Sequence, residues 1–530
     1  MSARSEAPIV TVMSRRGIFA VCNMVATVLL PLSAVSAREF SVLTYNVENL
    51  FDADKEAIFE DYAETGAPND YSPSKLVRKL QTIGKVLKSF NGGKGPEIAC
   101  FNEFEMDFTP DSKVVDYDAF LGKYKSTTVE KMLTTGLNDE VRGLPVEALL
   151  LKYLSDEGMT GYHVAIGDDK PDFAALALDD RKIHKKGHKN AVFSKFPVTK
   201  KRSHPTPDAR DILEVTLDAE GHPLHVFVNH WKSGAGDFNS EQSRRFNART
   251  LRGRLDDILR EDPSADIIVT GDFNSQYNQS QAYPFMGETG LNDILGSQGD
   301  ESATASAPGF SLYNLWHELP AEQRRSDHFA GKWGTLMQQM ITPGLYDSNG
   351  VQYGDNSFSV VMLDGVNTRT PLRLPRRWSN AGAGGGASDH FPVASRYRTV
   401  EENDKNARIK PEKPGTNNGQ AEPLSVGFEA LQPSQVGEFL ADAAKNPAAH
   451  IGEIFLVRGT VAGRRPLAVE VSGAKFLLWS PDVDLRKRMQ KFPTGSGVEF
   501  LAELDMHKGQ FQFVVQAPQW LIKRPEAKSR

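Results

Sequence analysis

The stretch Ile267-Ile268-Val269-Thr270-Gly271-Asp272-Phe273-Asn274 decides the fold class. Its β-branched run favours a pleated, packed strand. Gly271 permits a sharp backbone exit, and Asp272 and Asn274, two residues apart, then project to one side at the strand's carboxyl end. A carboxylate there can hold or deprotonate water, and a carboxamide can hydrogen-bond an anion without repelling it, so the pair suits an electron-rich phosphoryl centre. The competing reading is an ordinary strand followed by an Asp/Asn turn, in which both side chains bond their own backbone. The stretch alone does not choose between them.

Further polar clusters stand at the ends of other apolar runs. They are Leu43-Thr44-Tyr45-Asn46-Val47-Glu48, Ile98-Ala99-Cys100-Phe101-Asn102-Glu103, Val226-Phe227-Val228-Asn229-His230 and Ser388-Asp389-His390-Phe391-Pro392-Val393. In this order they resemble the endonuclease/exonuclease/phosphatase superfamily, metal-dependent phosphoesterases that include deoxyribonuclease-like nucleases and sphingomyelinases. The resemblance spans about residues 40–398, and the order of the short motifs carries it. It implies an α/β fold, a four-layer sandwich of two packed β-sheets flanked by helices.

The resemblance also implies a division of labour. Glu103 is the principal metal ligand, supported by Glu48 or Asp389, and the ion is Mg²⁺ or Mn²⁺ because the cluster is rich in oxygen donors. Asp272 positions or deprotonates the attacking water. Asn46, Asn274 and His230 hold the phosphate, and His390, aligned by Asp389, stabilises the transition state. Asn229, Asn190, His188 and Lys232 are further phosphate-side candidates; for the basic stretch from Lys185 to Asn190, a charged hairpin tip is an equal alternative.

The chain departs from the family pattern at three places. Asn102 stands where a glutamine is usual, and Glu48 where an aspartate is common. Where relatives place an aspartate that orients the last histidine, Leu336-Met337-Gln338-Gln339 puts Met337, or Gln338 with a slip of one. Methionine cannot accept an imidazole hydrogen bond, so either another carboxylate replaces the partner or His390 is less well oriented. Ser326-Asp327-His328 repeats the Ser388-Asp389-His390 tripeptide. The first copy reads as a decoy, because the second opens into the family's final strand.

The 530 residues exceed what one core holds, so more than one domain is expected. A net charge of −6 excludes a reading based on a global basic footprint. Residues 1–37 read as a signal peptide of twin-arginine type, with Arg15-Arg16 before an apolar stretch and Val35-Ser36-Ala37 as the cleavage site. Export to the periplasm, the cell surface or the medium follows. Loss of Cys22 with that segment leaves Cys100 without an intrachain partner, so no disulfide framework is expected.

The expected catalytic domain covers 38–398. Within it a helix runs from Ser74 to Phe90, a helical insertion from about 107 to 162 shapes the active-site rim, and Glu241 to Leu259 is helical, with Arg244, Arg245 and Arg249 available to face substrate or solvent and solvent preferred. Residues 399–423 read as a linker. From 424 to 530 a helix over Val426 to Asn446 precedes five short strands with a helix near Asp484, similar to an OB-fold barrel. That region carries 14 Lys/Arg against 11 Asp/Glu, and Phe476, Trp479, Phe511 and Phe513 could stack bases or pack its core.

Three functions remain open at this point. The first is an exported metal-dependent nuclease, endo- or exo-acting, on DNA or RNA. The second is a phosphoesterase for a phospholipid head group or a sugar phosphate, and the third a binding protein with a weakened catalytic site. No obligate protein partner is evident.

Overall fold

Runs that are apolar on successive residues, such as Val226–Val228 and Ile267–Val269, build strands covered on both faces. In the computed structural model these strands form two seven-stranded sheets. The structure describes residues 38–57, 59, 62, 70–107, 113–170, 187–306, 309–400, 408–413, 423–507 and 509–523. Residues 1–37, expected as a signal peptide, Lys185, Lys186 and most of the segment 399–423, expected as a linker, lie outside the described residues. Among the described residues no helix is long and apolar enough to cross a membrane.

The first sheet contains β1 (Glu39–Leu50), β2 (Ile98–Glu105), β3 (His163–Ile166) and β4 (His188–Ser194). The second contains β5 (Val198–His204), β6 (Ile212–Ala219), β7 (His222–His230), β8 (Asp266–Asp272), β9 (Ser297–Gln298), β10 (Leu312–Asn314) and β11 (Met337–Ile341), in the spatial order β5-β6-β7-β8-β11-β10-β9. The chain then returns to the first sheet with β12 (Val351–Tyr353), β13 (Ser359–Val360) and β14 (Val393–Thr399), giving the order β12-β14-β1-β2-β4-β3 with β13 beside β14. Val42, Cys100 and Val192 of one sheet meet Val215, Val226 and Ile268 of the other in a single core. Cys100 is a buried free thiol.

Helices cover the outer faces. On the first sheet lie α1 (Pro73–Lys88), α2 (Tyr117–Lys123), α3 (Val129–Met132), α4 (Asp139–Arg142) and α5 (Val146–Asp156). Leu149, Leu150 and Leu154 of α5 pack with Leu80 and Ile83 of α1 against Phe101 and Phe193. The segment expected as a rim insertion is therefore the outer layer itself, because its apolar face has a whole sheet to cover. On the second sheet, α6 (Phe238–Glu261) lays Leu251, Leu255 and Ile258 on Phe227, Ile267 and Val269. The four-layer α/β sandwich is thereby built.

An ion pair clamps α6 to its sheet. Arg254 holds Glu214 with Nε at 2.9 Å and Nη2 at 2.7 Å, and His204 Nε2 lies 2.6 Å from the same carboxylate. Burial opposes the charge on Glu214, but His204 and Arg254 outweigh it and bring the carboxyl from 4.5 down to about 2. A depressed carboxyl contributes stability that is present above its unfolded value and lost as pH falls through its folded one. Urea unfolding of Glu214→Gln is expected to show a loss of about 1.5–3 kcal/mol at pH 7. The difference from the parent protein shrinks between pH 4.5 and 2; an unchanged difference would exclude this account.

Beyond the sandwich a closed barrel forms from β15 (Ile454–Arg464), β16 (Leu467–Val471), β17 (Ala474–Trp479), β18 (Gly497–His507) and β19 (Gln510–Val514). Its closing pairs are β17 parallel to β19 and β15 antiparallel to β18, with α7 (Val483–Met489) between β17 and β18. The helix expected over Val426–Asn446 is only the short Ala441–Lys445, because Pro433 and Gly437 interrupt the rest. Phe476 and Phe513 are buried in the barrel core, whereas Trp479 is 39% exposed. The barrel shares its core with the sandwich through Trp333, Leu374 and Phe391, and Arg369 Nη1 reaches Glu503 Oε1 at 2.5 Å.

Candidate active site

Strand register gathers the site. In the first sheet Asn46 lies opposite Asn102, and in the second His230 lies opposite Asp272, both in parallel pairs. Carboxyl ends of parallel strands therefore converge at one end of the sandwich, where ligands bind in sheets of this kind. β8 runs through Gly271 to Asp272 rather than ending at the glycine. A Cβ on Gly271 would stand 2.0 Å from the Asn229 carbonyl oxygen, so the glycine allows the two strands to approach. Ladder irregularities follow Asn46 in β1 and Phe101 in β2. Glu48, Asn49, Glu103 and Asn274 all take positive φ, at 48°, 60°, 66° and 47°. Left-handed backbone at non-glycine residues costs free energy and collects at functional sites, and here it turns side chains out of the strand alternation.

Asn46 is the hub. Its Nδ2 donates to Glu103 Oε1 and to Asp272 Oδ2, both at 3.0 Å. Glu103 Oε2 accepts from Asn49 N at 3.0 Å, and Asp272 Oδ1 from Asn274 N at 2.9 Å. His230 Nε2 lies 3.7 Å from both Glu103 Oε1 and Asp272 Oδ2. His390 Nε2 lies 3.6 Å from Asp272 Oδ2 and 3.8 Å from Asp389 Oδ1.

The two histidines are driven apart in charge. Burial, with Arg210, His188 and His390 nearby, holds His230 well below the imidazole range, so it is neutral. Burial also disfavours charge on His390, but Asp389, Asp272, Asp327 and Glu103 outweigh it and raise the ring to about 9. Environments that separate paired titratable groups in this way assign the proton donor. His390 is the ring of the pair whose surroundings favour the imidazolium.

One ligand atom from each of Glu103, His230 and Asp272 lies within 4.8 Å of the others. The two carboxylates supply oxygen donors for a divalent ion, and the neutral imidazole stands beside them as a borderline nitrogen donor. Burial and the Asp389 charge hold the Glu103 carboxyl above its ordinary range, as expected for a group that gains from a cation. Glu48, expected as a ligand, is instead engaged by a strap: Arg377 Nε and Nη2 reach its Oε1 at 3.1 and 3.0 Å, and Trp378 N donates to Oε2 at 2.7 Å. Asp389 remains at the rim, 3.8 Å from Arg377 Nη2.

The other expected phosphate-side residues divide. Asn229 is fully buried and spent on Trp231 Nε1 and the carbonyls of Phe227 and Thr270. Asn190 is likewise bound to Asn102 Nδ2 and the carbonyls of Asp211 and Val228. Both are scaffold between the sheets, since a buried amide must satisfy itself inside. His188 joins Asn49 Oδ1 at 2.6 Å to Arg210 Nη2 at 3.1 Å and so positions rather than binds. Lys232 is half-buried beside the site, and its carbonyl accepts from Arg244. Arg244, expected in solvent, is completely buried; it binds Glu241 and the carbonyls of Lys232, Gly234 and Ala235, which fixes the loop behind His230.

Three contributors were not legible beforehand. Arg210 enters from the loop before β6 and acts electrostatically on Glu103 and Asp272. Arg377 binds Glu48. Asp327 belongs to the tripeptide taken as a decoy, yet it is 6% exposed and helps to raise His390; Phe391 N donates to Ser326 O at 2.5 Å, which sets the two copies side by side. His328 does turn away, onto Trp333 and Phe428. Met337 is buried in the inter-sheet core, and Gln338 is spent on Ser275, Thr335 and Asn314.

Residues 161–398 match the Endonuclease/Exonuclease/phosphatase family. This part of the catalytic domain is similar to that family. The likeness points to a metal-dependent phosphoester hydrolase. No curated protein matches the chain. Among solved structures, an endonuclease/exonuclease/phosphatase family protein from Leptotrichia buccalis is 13% identical, covering 67% of this chain and 98% of that one with a TM-score of 0.38. TDP2 from Caenorhabditis elegans is 11% identical over 68% of this chain and 74% of that one, TM-score 0.34. The human nocturnin catalytic domain is 14% identical over 68% and 94%, TM-score 0.35. The assignment rests on the family match.

Proposed function

We propose that this phosphoesterase hydrolyses phosphodiester bonds of nucleic acid. The observation that carries the substrate is the strap Arg376-Arg377. Arg377 stands at the catalytic carboxylates, 3.8 Å from Asp389, and Arg376 lines a cleft of about 370 Å³ between sandwich and barrel, with Thr368, Arg369, Gly437, Glu453 and Phe455. Successive guanidinium groups leading from the reaction centre into a cleft suit successive phosphates of a polymer. Trp479, exposed with Arg486 5.4 Å from its ring centroid, offers the barrel one stacking surface.

Glu103, with His230 and Asp272 in reach, would hold a divalent ion such as Mg²⁺ or Mn²⁺, which would supply charge neutralisation at the phosphoryl group. Asp272, fixed by Asn46 and Asn274, orients the water and accepts its proton. His390 faces the same carboxylate as an imidazolium and donates a hydrogen bond to a phosphoryl oxygen. Arg210 sets the charge balance behind Glu103, and Asn46 keeps Glu103 and Asp272 in one geometry.

Hydrolysis by the chain from residue 38 onward should be measured in Mg²⁺ or Mn²⁺ on plasmid DNA, single-stranded DNA, RNA, sphingomyelin and a simple phosphodiester. Polynucleotide cleavage that weakens with salt, and weakens further in Arg376→Ala, is the expected result. Cleavage confined to lipid would overturn the substrate and leave the phosphoesterase standing.

A further inference from the structure

We propose that Glu301, Glu318 and Asp355, with the Tyr313 hydroxyl, form a second cation site of calcium type, separate from the catalytic centre, that ties the two sheets together. Tyr313 on β10 pairs with Ile341, which pairs with Ile268. Ile268 precedes Asp272 by four positions along β8, about 13 Å at ~3.3 Å per residue. Glu318 ends the turn Leu315–Glu318 that follows β10 in the second sheet. Asp355 follows β12 in the first sheet, and Glu301 opens the helix Glu301–Ser306. One oxygen from each carboxylate lies within 4.8 Å of the others.

Acidic groups of this size are common without an ion. What separates this one is a set of buried oxygens that lack a hydrogen-bond partner among the described residues: Tyr313 Oη, Glu318 Oε1 and Asp355 Oδ1. Tyr313 is completely buried and faces all three carboxylates electrostatically. The remaining oxygens are fixed by donors. Glu318 Oε2 accepts from Tyr353 Oη at 2.7 Å and Phe358 N at 3.3 Å, Asp355 Oδ2 from Glu412 N at 2.9 Å, and Glu301 Oε1 from Tyr346 Oη at 2.8 Å. Glu318 and Asp355 thus each keep one oxygen anchored and one open. Burial first, with Glu301 and Asp355, lifts the Glu318 carboxyl to about 8.

An orphaned buried oxygen costs free energy unless something binds it. The donors are carboxylate and phenol oxygens only, with no thiol or imidazole, which selects a hard cation. Calcium tolerates irregular, flexible oxygen shells, whereas magnesium demands near-ideal octahedral geometry. Because the ligands come from both sheets, a bound ion stabilises the packed state and not the unfolded chain.

The test separates this site from the catalytic one by using Glu103→Gln as background in the chain from residue 38 onward. Calcium binding is measured by calorimetry, and terbium, a calcium surrogate, by emission sensitised through Tyr313, Tyr346 and Tyr353. The expected result is a single calcium equivalent retained in Glu103→Gln, with a calcium-dependent rise in Tm. Adding Asp355→Asn should weaken that binding at least about tenfold and abolish the Tm rise. Tyr313→Phe, which removes only a neutral ligand, should weaken it less. The proposal is overturned if the double variant binds calcium like its parent. It is equally overturned if Asp355→Asn raises Tm to the same extent with and without calcium, since the carboxylates would then simply share protons. Circular dichroism in chelator establishes that each variant is folded; should Asp355→Asn fail, Tyr313→Phe carries the same comparison.

Discussion

Asp272→Asn lowers kcat on a phosphodiester substrate by about 10²–10⁴-fold, the range expected for a positioned general base. Asp272 is 1% exposed, and its carboxylate oxygens meet only donors and imidazole rings. Oδ2 accepts from Asn46, Oδ1 accepts from Asn274 N, and both histidines stand within 3.7 Å. An asparagine there presents NH₂ to one of two donors, so a hydrogen bond becomes a repulsion. The substitution also removes one of the charges that raise His390 to about 9. With a raised folded pKa the imidazolium is present below that value and lost as pH rises through it. NMR titration of the metal-free protein should therefore find the His390 midpoint moved down in Asp272→Asn. Activity retained within tenfold of the parent would remove Asp272 from the chemistry.

Glu103→Gln acts on the metal instead. EDTA should abolish hydrolysis by the parent, and Glu103→Gln should raise the metal concentration for half-maximal activity by more than about tenfold, with partial rescue at high metal. The reasoning is electrostatic. Glu103 sits within 4.8 Å of His230 and Asp272, its carboxyl is pushed up by burial and by Asp389, and its oxygens are aimed by Asn46 and Asn49. Glutamine keeps the shape but loses the charge that attracts the ion. Metal titrations of both variants distinguish the roles: Asp272→Asn should show the smaller loss of metal affinity. Hydrolysis that persists in EDTA would exclude a metal-dependent reaction.

The charge of Asp327 bears on the protonation of His390 rather than on the reaction class. Met337 stands where an orienting aspartate is expected, and Asp327, from a different segment, acts on His390 electrostatically. Pairing Phe391 N with Ser326 O accomplishes this across residues that no local pattern connects.

The sequence by itself determined the strands and their chemically loaded ends. A buried strand needs an unbroken apolar run, so a polar residue that ends one, such as Asn46, Glu103, His230 or Asp272, is conspicuous without coordinates. Adjacent strands in register then carry these ends to one place. The helices α1 and α6 and the five barrel strands were legible for the same reason, because periodicity records burial. Only the tertiary structure decided which polar residues face the reaction. Asn190 and Asn229 looked like phosphate ligands but are satisfied inside the sandwich, whereas Arg210, Arg377 and Asp327 reach the site from loops. Loop side chains carry no period, and their neighbours are set by long-range packing. The same packing gathered Glu301, Glu318 and Asp355 around Tyr313 from segments of both sheets, which no spacing along the chain records.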